Sequence, residues 1–332
     1  MSIVTIDSGT TNTRVRVWQD GIVIAEVIET IGIRDTALTG STKTLALGIK
    51  KALDNALAKA NLILDNSIPI IASGMITSNL GLYELPHLIT PIGINELANN
   101  MVEKIIPDIT SYPIWFIPGI KNRLPAINII NFEEMDMMRG EETEVIGAIN
   151  YFNIKQETLI ILPGTHTKFV KINNKQKIIS CATTMTGELL DVITQNTILT
   201  QSLENKFADE IDEEYLIRGA KSCKEVGLAR SCFMIRVLSM FSHSTKRQIA
   251  NYLLGAVMYS DILTIKNHKA LNIKPHTNII ICGKKTLQQA LAILISHDGF
   301  FHGSITTQNE EAIKPLSGLG AISIAQKIQL IK

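Results

Sequence analysis

IVTIDSGTTNTRVRVWQDGIVIAEV, residues 3–27, decides the fold, because TLIILPGTHTKFVKINNKQKIISCAT, residues 158–183, echoes it in the other half of the chain. Each stretch reads as an apolar strand, a turn built on a glycine followed by threonine, a second strand, a tight turn (Asp20-Gly21; Asn173-Asn174) and a third strand. A repeat of this length has the size of a domain, not of a solenoid unit. The two tips, Gly9-Thr10-Thr11 and Gly164-Thr165-His166-Thr167, suit a ligand gripped from two sides. At glycine no Cβ blocks the approach, so backbone N–H groups and threonine hydroxyls can reach phosphate oxygens. DSGTT alone also fits an ordinary solvated hairpin; the echo and a further glycine turn at Gly283 favour phosphate.

The 332 residues, 45% of them hydrophobic, can bury a large core and favour about two domains. We place the first at 1–130 and the second at 131–332, with the crossing in the polar, irregular segment 121–135. Lys and Arg number 32 against 31 Asp and Glu, so no global field draws the chain to nucleic acid or an anionic membrane. The two tryptophans make a base-stacking platform improbable, and the expected partner is a small molecule. The start lacks a basic, then apolar leader, and no run approaches the ~18 apolar residues of a membrane span, so a cytoplasmic protein is expected. Cys181, Cys223, Cys232 and Cys282 have no CxxC spacing, and Cys181 and Cys282 lie in apolar runs that suit buried thiols. A homodimer is left open.

Between the hairpins the pattern alternates between helix and strand. Helical spacing covers 42–60, 95–106 and 139–152, whereas 67–75 and 112–118 read as buried strands. Residues 187–264 are mostly helical, 277–283 form a strand ending in glycine, and helices follow at 285–296 and 316–330. Asp7 ends the first strand, where a carboxylate facing a triphosphate can hold Mg²⁺ directly or through water. Arg14 and Arg16 alternate with valines and project from one face of the second strand.

The order DSGTTNTR (7–14), MRGEETEVIGA (138–148), LPGTHTKFV (162–170), TGEL (186–189) and ICGKKTLQQAL (281–291) resembles the 2-keto-3-deoxygalactonate kinase (2-dehydro-3-deoxygalactonokinase) family. That family belongs to the sugar kinase/Hsp70/actin superfamily. The resemblance spans essentially the whole chain and implies two ribonuclease-H-like α/β domains with ATP in the interdomain cleft. It also implies transfer of the γ-phosphate to the C6 hydroxyl of 2-dehydro-3-deoxy-D-galactonate, in galactonate catabolism.

Carried over, the resemblance makes Asp7, Gly9, Thr10, Thr11 and Asn12, with Arg14 beside them, the first phosphate loop. Gly164, Thr165, His166 and Thr167 become the second, and Lys168 meets a phosphate or an acid. His166 would hold its loop by a side-chain to backbone hydrogen bond. Gly283 and Lys284 correspond to the adenosine loop, and Gly318 and Gly320 to a small-residue helix near the hinge. Related sugar kinases place an acid right after a glycine at a helix start, which here is Gly140-Glu141. Glu141 is therefore the expected base, with Asp136 and Glu142 as alternatives, and Arg139 is assigned to the sugar-acid carboxylate or the transferring phosphate. Glu141 and Glu142 would equally suit a helix N-terminus.

SGMITSNLGLYELPHL (73–88) resembles the family's sugar-side loop, which makes Gly74, Met75, Ser78, Asn79 and Glu84 candidate substrate residues. Thr77 stands where glycine is usual, Asn79 where arginine is, Leu80 for glutamine and Leu82 for tryptophan. Losing an arginine removes a bidentate carboxylate partner. Lys121, Asn122 and Arg123 could compensate. A kinase of a different sugar or acid, or a non-catalytic nucleotide switch, remains the alternative.

Overall fold

The computed structural model describes residues 1–204, 207–308 and 315–331. β1 (Ser2–Ser8), β2 (Thr13–Gln19) and β3 (Ile22–Glu29) form an antiparallel meander. Its second turn is set by Asp20 and Gly21, both at positive φ, as a two-residue hairpin requires. Then come α1 (Ile33–Thr39), α2 (Lys43–Lys59), β4 (Ile70–Gly74), β5 (Leu88–Ile89), α3 (Ile94–Asn99), β6 (Val102–Lys104), β7 (Ile114–Phe116) and β8 (Ile120–Lys121). Among the described residues the first sheet runs β3-β2-β1-β4-β7-β6, with β1, β4 and β7 parallel.

The helix expected over 95–106 stops at Asn99. The Asn100 side chain donates to the Glu96 carbonyl (2.9 Å), and Val102–Lys104 pair antiparallel with β7. An open sheet edge offers this segment a full ladder of backbone partners, and that outweighs its helical spacing.

The second half runs β9 (Met137–Met138), α4 (Glu141–Tyr151), β10 (Thr158–Leu162), β11 (Thr167–Ile172), β12 (Ile178–Thr184), α5 (Thr186–Gln195), α6 (Thr200–Leu203), α7 (Glu213–Val226), α8 (Leu228–Phe241) and α9 (Lys246–Asn267). It closes with β13 (Asn278–Ile281), α10 (Lys285–Asp298), β14 (Ile305–Thr307) and α11 (Leu316–Lys327). Its sheet, β12-β11-β10-β13-β14, repeats the order and strand directions of β3-β2-β1-β4-β7. The repeat seen in the sequence is thus a repeat of topology. A small sheet, β5-β8-β9, ties the two halves.

Side chains alternate across each strand, so every sheet has two faces to cover. Val4, Ile6, Val15 and Val17 pack under α2 with Leu45, Ile49 and Leu53. Leu159, Ile161 and Phe169 pack under α7, α9 and α10 on the far side of the second sheet. Between the sheets lie α4 and α11, where Val145, Ile149 and Ile324 join Ile3 and Trp18 of one sheet to Ile160 and Val170 of the other. A Cβ at Gly320 would lie 1.8 Å from the Thr143 carbonyl, so α11 and α4 touch backbone to backbone. The inter-sheet helix pair delivers the head of α4 to the carboxyl ends of β1 and β4.

Candidate active site

Ligands of open α/β sheets bind beyond the carboxyl ends of the parallel strands. Here β1 ends in Asp7-Ser8, β4 in Gly74, and β10 and β13 run into Gly164 and Gly283. At the first tip Gly9 N donates to Asn12 O (2.8 Å), and the first turn of α1 caps the loop through Arg34 N to Thr10 O (3.0 Å). Thr10 and Thr11 stay exposed. At the second tip Glu188 N donates to Thr165 O (2.9 Å), while His166 Nε2 meets Glu188 Oε2 at 2.8 Å. His166 therefore holds its loop through a carboxylate, not through the backbone bond implied by the resemblance. The Gly283 turn adjoins this tip: a Cβ there would lie 3.1 Å from Pro163 O, and Lys284 is exposed beside it.

Gly140 precedes α4 with φ +108, and a Cβ on it would lie 3.1 Å from Gly74 Cα and 4.0 Å from Asp7 Oδ1. This approach sets Glu141 and Glu144, one turn apart on α4, close to Asp7. Burial raises the Glu141 carboxyl above the usual range, Lys168 opposes the shift, and Asp7 adds to it. Glu144 is pushed up to about 7 by burial, then by Asp7 and Glu141, against Arg14 and Arg16. Glu142, fully buried, is raised well above the usual range, first by burial and then by Glu141. The glutamates also serve the helix start: Arg139 N donates to Glu141 Oε2 (3.1 Å) and Gly140 N to Glu142 Oε2 (2.8 Å).

Arg139 makes its side-chain hydrogen bonds with the 77–87 segment, while Glu142 and Glu84 act on its charge from farther off. Its Nη1 donates to Thr77 Oγ1 (2.9 Å), and its Nη2 donates to Leu85 O and lies 3.4 Å from His87 Nδ1. Thr77, the residue that replaces glycine, thus carries part of the arginine's support. Lys168, at the base of the second tip, donates to Met137 O and Thr183 Oγ1, both at 2.7 Å. Asp136 lies 4.0 Å from that amine and accepts from Thr183 (2.8 Å).

The structure therefore gathers Asp7, Gly74, Gly140 and Glu141 at one point. Asp136 and Lys168 sit together on the β9 side. Ser78 is buried and donates to Met75 O (2.7 Å), whereas Asn79 and Glu84 are exposed. Sequence reasoning missed His87, Thr183 and Glu188, although Glu188 lies inside the quoted TGEL and His87 inside the quoted 73–88 stretch. Their roles arise from partners 22 or more residues away in sequence for Glu188, and 52 for His87.

For Mg²⁺ the fitting donor is Asp7, a single carboxylate at the end of β1 beside the first glycine-tipped loop. Among the described residues no group of three or more acids, histidines or cysteines is placed to hold a metal ion by itself, and Mg²⁺ ordinarily takes one or two carboxylates with phosphate and water. Among the described residues, no helix is long and apolar enough to cross a membrane.

Two repeated meander-and-crossover sheets, with glycine loops at the strand ends and an inter-sheet helix led by acids, define a protein of the sugar kinase/Hsp70/actin fold. The chain belongs to the 2-keto-3-deoxy-galactonokinase family, whose family model matches residues 7–315. It is 31% identical over 201 residues to the Rhizobium meliloti (strain 1021) protein named "Probable 2-dehydro-3-deoxygalactonokinase DgoK1", covering 60% of this chain and 58% of that one. It is 24% identical over 208 residues to the Escherichia coli (strain K12) 2-dehydro-3-deoxygalactonokinase, covering 62% and 64%. The matched stretches thus span less than two thirds of these curated relatives. A crystal structure from Sinorhizobium meliloti, itself provisionally described as a 2-dehydro-3-deoxygalactonokinase, shares the fold with TM-score 0.74 and 22% identity, over 99% of this chain and 98% of that one.

Proposed function

We propose that this protein is a cytoplasmic ATP-dependent kinase that phosphorylates the C6 hydroxyl of 2-dehydro-3-deoxy-D-galactonate in galactonate catabolism. Membership of the family and the names of the curated relatives support the reaction. The observation that carries the mechanism is the approach of Gly140 to Gly74 and Asp7, which puts Glu141 beside the first glycine loop. Phosphoryl transfer needs positioning, charge neutralisation and an acceptor for the hydroxyl proton. Glu141 is that acceptor in our reading: a carboxylate whose affinity for a proton is raised by burial takes one more readily. Asp136, tied to Lys168 and Thr183, holds β9, and Glu142 holds the helix start.

In this reading Gly9, Thr10, Thr11, Asn12 and Arg14 grip phosphates from one side and Gly164 to Thr167 from the other, with Gly283 and Lys284 beside the adenosine. Lys168 anchors the second loop to β9. Asp7 would hold Mg²⁺, which supplies neutralisation of phosphate charge when bound. Gly74, Met75, Ser78, Asn79, Glu84 and Lys121 border the sugar side, and Arg139 serves the acid. The functional units at 1–130 and 131–332 are drawn through the β8–β9 connection, away from both large sheets. A different sugar acid is the second reading, favoured by Thr77 and by the absence of arginine at Asn79. Acceptor-dependent ADP release that disappears in Glu141→Gln tests the assignment.

A further inference from the structure

The Arg139 side chain is fixed, and Glu142 and Glu84 act on its charge only from beyond ion-pair distance. Thr77 and Leu85 accept from it, and no carboxylate lies within ion-pair distance of its guanidinium among the described residues. Its third neighbour, His87 Nδ1 at 3.4 Å, must be the unprotonated ring nitrogen, because a guanidinium can only donate. The ring proton therefore sits on Nε2. That N–H has no partner among the described residues, and Nε2 is not sealed from solvent.

Burial, then Arg139, Lys121 and Lys168, push His87 down to about 4, so the ring stays a neutral donor at neutral pH. Lys121 is half-buried, and its ammonium has no hydrogen bond or ion pair among the described residues. Gly119 makes room for the group: a Cβ there would lie 2.6 Å from Arg139 Cγ and 3.0 Å from His87 Cδ2. The His87 Nε2 donor and the Lys121 ammonium converge here with the Arg139 guanidinium, and three cations, Arg139, Lys121 and Lys168, act on the one ring. An anionic oxygen is the partner such a group lacks.

We propose that His87, with Lys121 and Arg139, forms the subsite that reads the carboxylate of the acid substrate, His87 donating from Nε2 and acting as a specificity-determining residue. The inference rests on the kinase reading above and adds the part of the site that tells an acid from its neutral counterpart. Hydrogen bonds to charged groups contribute enough that losing one costs roughly ten-fold or more in binding.

The test compares wild type, His87→Phe, His87→Gln and Lys121→Met on 2-dehydro-3-deoxygalactonate and on its primary amide, with thermal melts alongside. His87→Phe is expected to raise the KM for the acid about ten-fold, leave the KM for ATP unchanged and shrink the preference for acid over amide by the same factor. His87→Gln, which can return an N–H near Nε2, is expected to recover most of the loss. Lys121→Met should erode the same preference without touching Arg139's hydrogen bonds. Equal losses on acid and amide, or unmoved kinetics in both His87→Phe and Lys121→Met, overturn the subsite. A wild type that turns over no keto-deoxy acid overturns the kinase reading, and the subsite with it.

Discussion

Gly140 stands so close to Gly74 that a Cβ on it would lie 3.1 Å from the Gly74 Cα, while its own φ of +108 is closed to other residues without strain. The contact joins the end of β4 to the start of α4 and brings Glu141 to Asp7. Gly140→Ala is expected to cost roughly 1–3 kcal/mol of stability and to lower kcat by at least ten-fold. Urea unfolding and steady-state rates measure the two effects separately. Full activity in the variant would mean that this approach does not place the base.

Glu141→Gln removes the proton acceptor but keeps the side chain's size and its capacity to accept from Arg139 N. Its kcat should fall roughly 10²–10⁴-fold, with nucleotide binding by calorimetry unchanged. Glu141 acts when deprotonated, so in the wild type kcat/KM should decline with falling pH at values above the ordinary 4.5 for glutamate. An acid limb below that value would point to another base.

Asp261, fully buried on α9, accepts from Thr184 at the end of β12 and from Thr186 at the start of α5, and its Oδ2 has no partner among the described residues. Burial pushes its carboxyl from the ordinary 3.8 up to about 6. Between those values the folded protein keeps a proton that the unfolded chain has released, so this group's contribution to stability falls as pH rises through the window. Across it the loss is about 3 kcal/mol. Asp261→Asn should therefore match the wild type's melting temperature near pH 4 and exceed it above pH 6.5. A gap that does not change with pH would refute this.

The second loop rests on Lys168, whose amine bridges Met137 O and Thr183. Lys168→Met removes both bonds and the cation beside Asp136, while Thr183 keeps its bond to Asp136, and should destabilise the protein by about 1–2 kcal/mol. Chemical denaturation checks the value; a change under 0.5 kcal/mol would show that the bridge is dispensable.

The architecture was largely legible because each half opens on the same strand, glycine tip and strand, and those local signals match the paired sheets. The 95–106 segment misled because its helical spacing says nothing of the free edge beside β7, where Val102–Lys104 find partners. At the site, Asp7 and the Gly140-Glu141 step stand out as residue types at element ends, and the fold brings them together. His87 and Asp261 do not stand out: one is defined by Arg139, 52 residues on, and the other by Thr184, 77 residues back. Thr77 was read as a departure from the family's loop, yet its hydroxyl accepts from Arg139, so a local loss of pattern can be a long-range gain of support.

The most direct measurement is ADP release by the purified protein with Mg-ATP and 2-dehydro-3-deoxygalactonate, set against its gluco epimer, simple hexoses and no acceptor. Release that depends on the galacto acid, with the 6-phosphate as product, is the predicted result. Release that is the same with every acceptor and with none, or no release at all, would contradict a kinase acting on this acid.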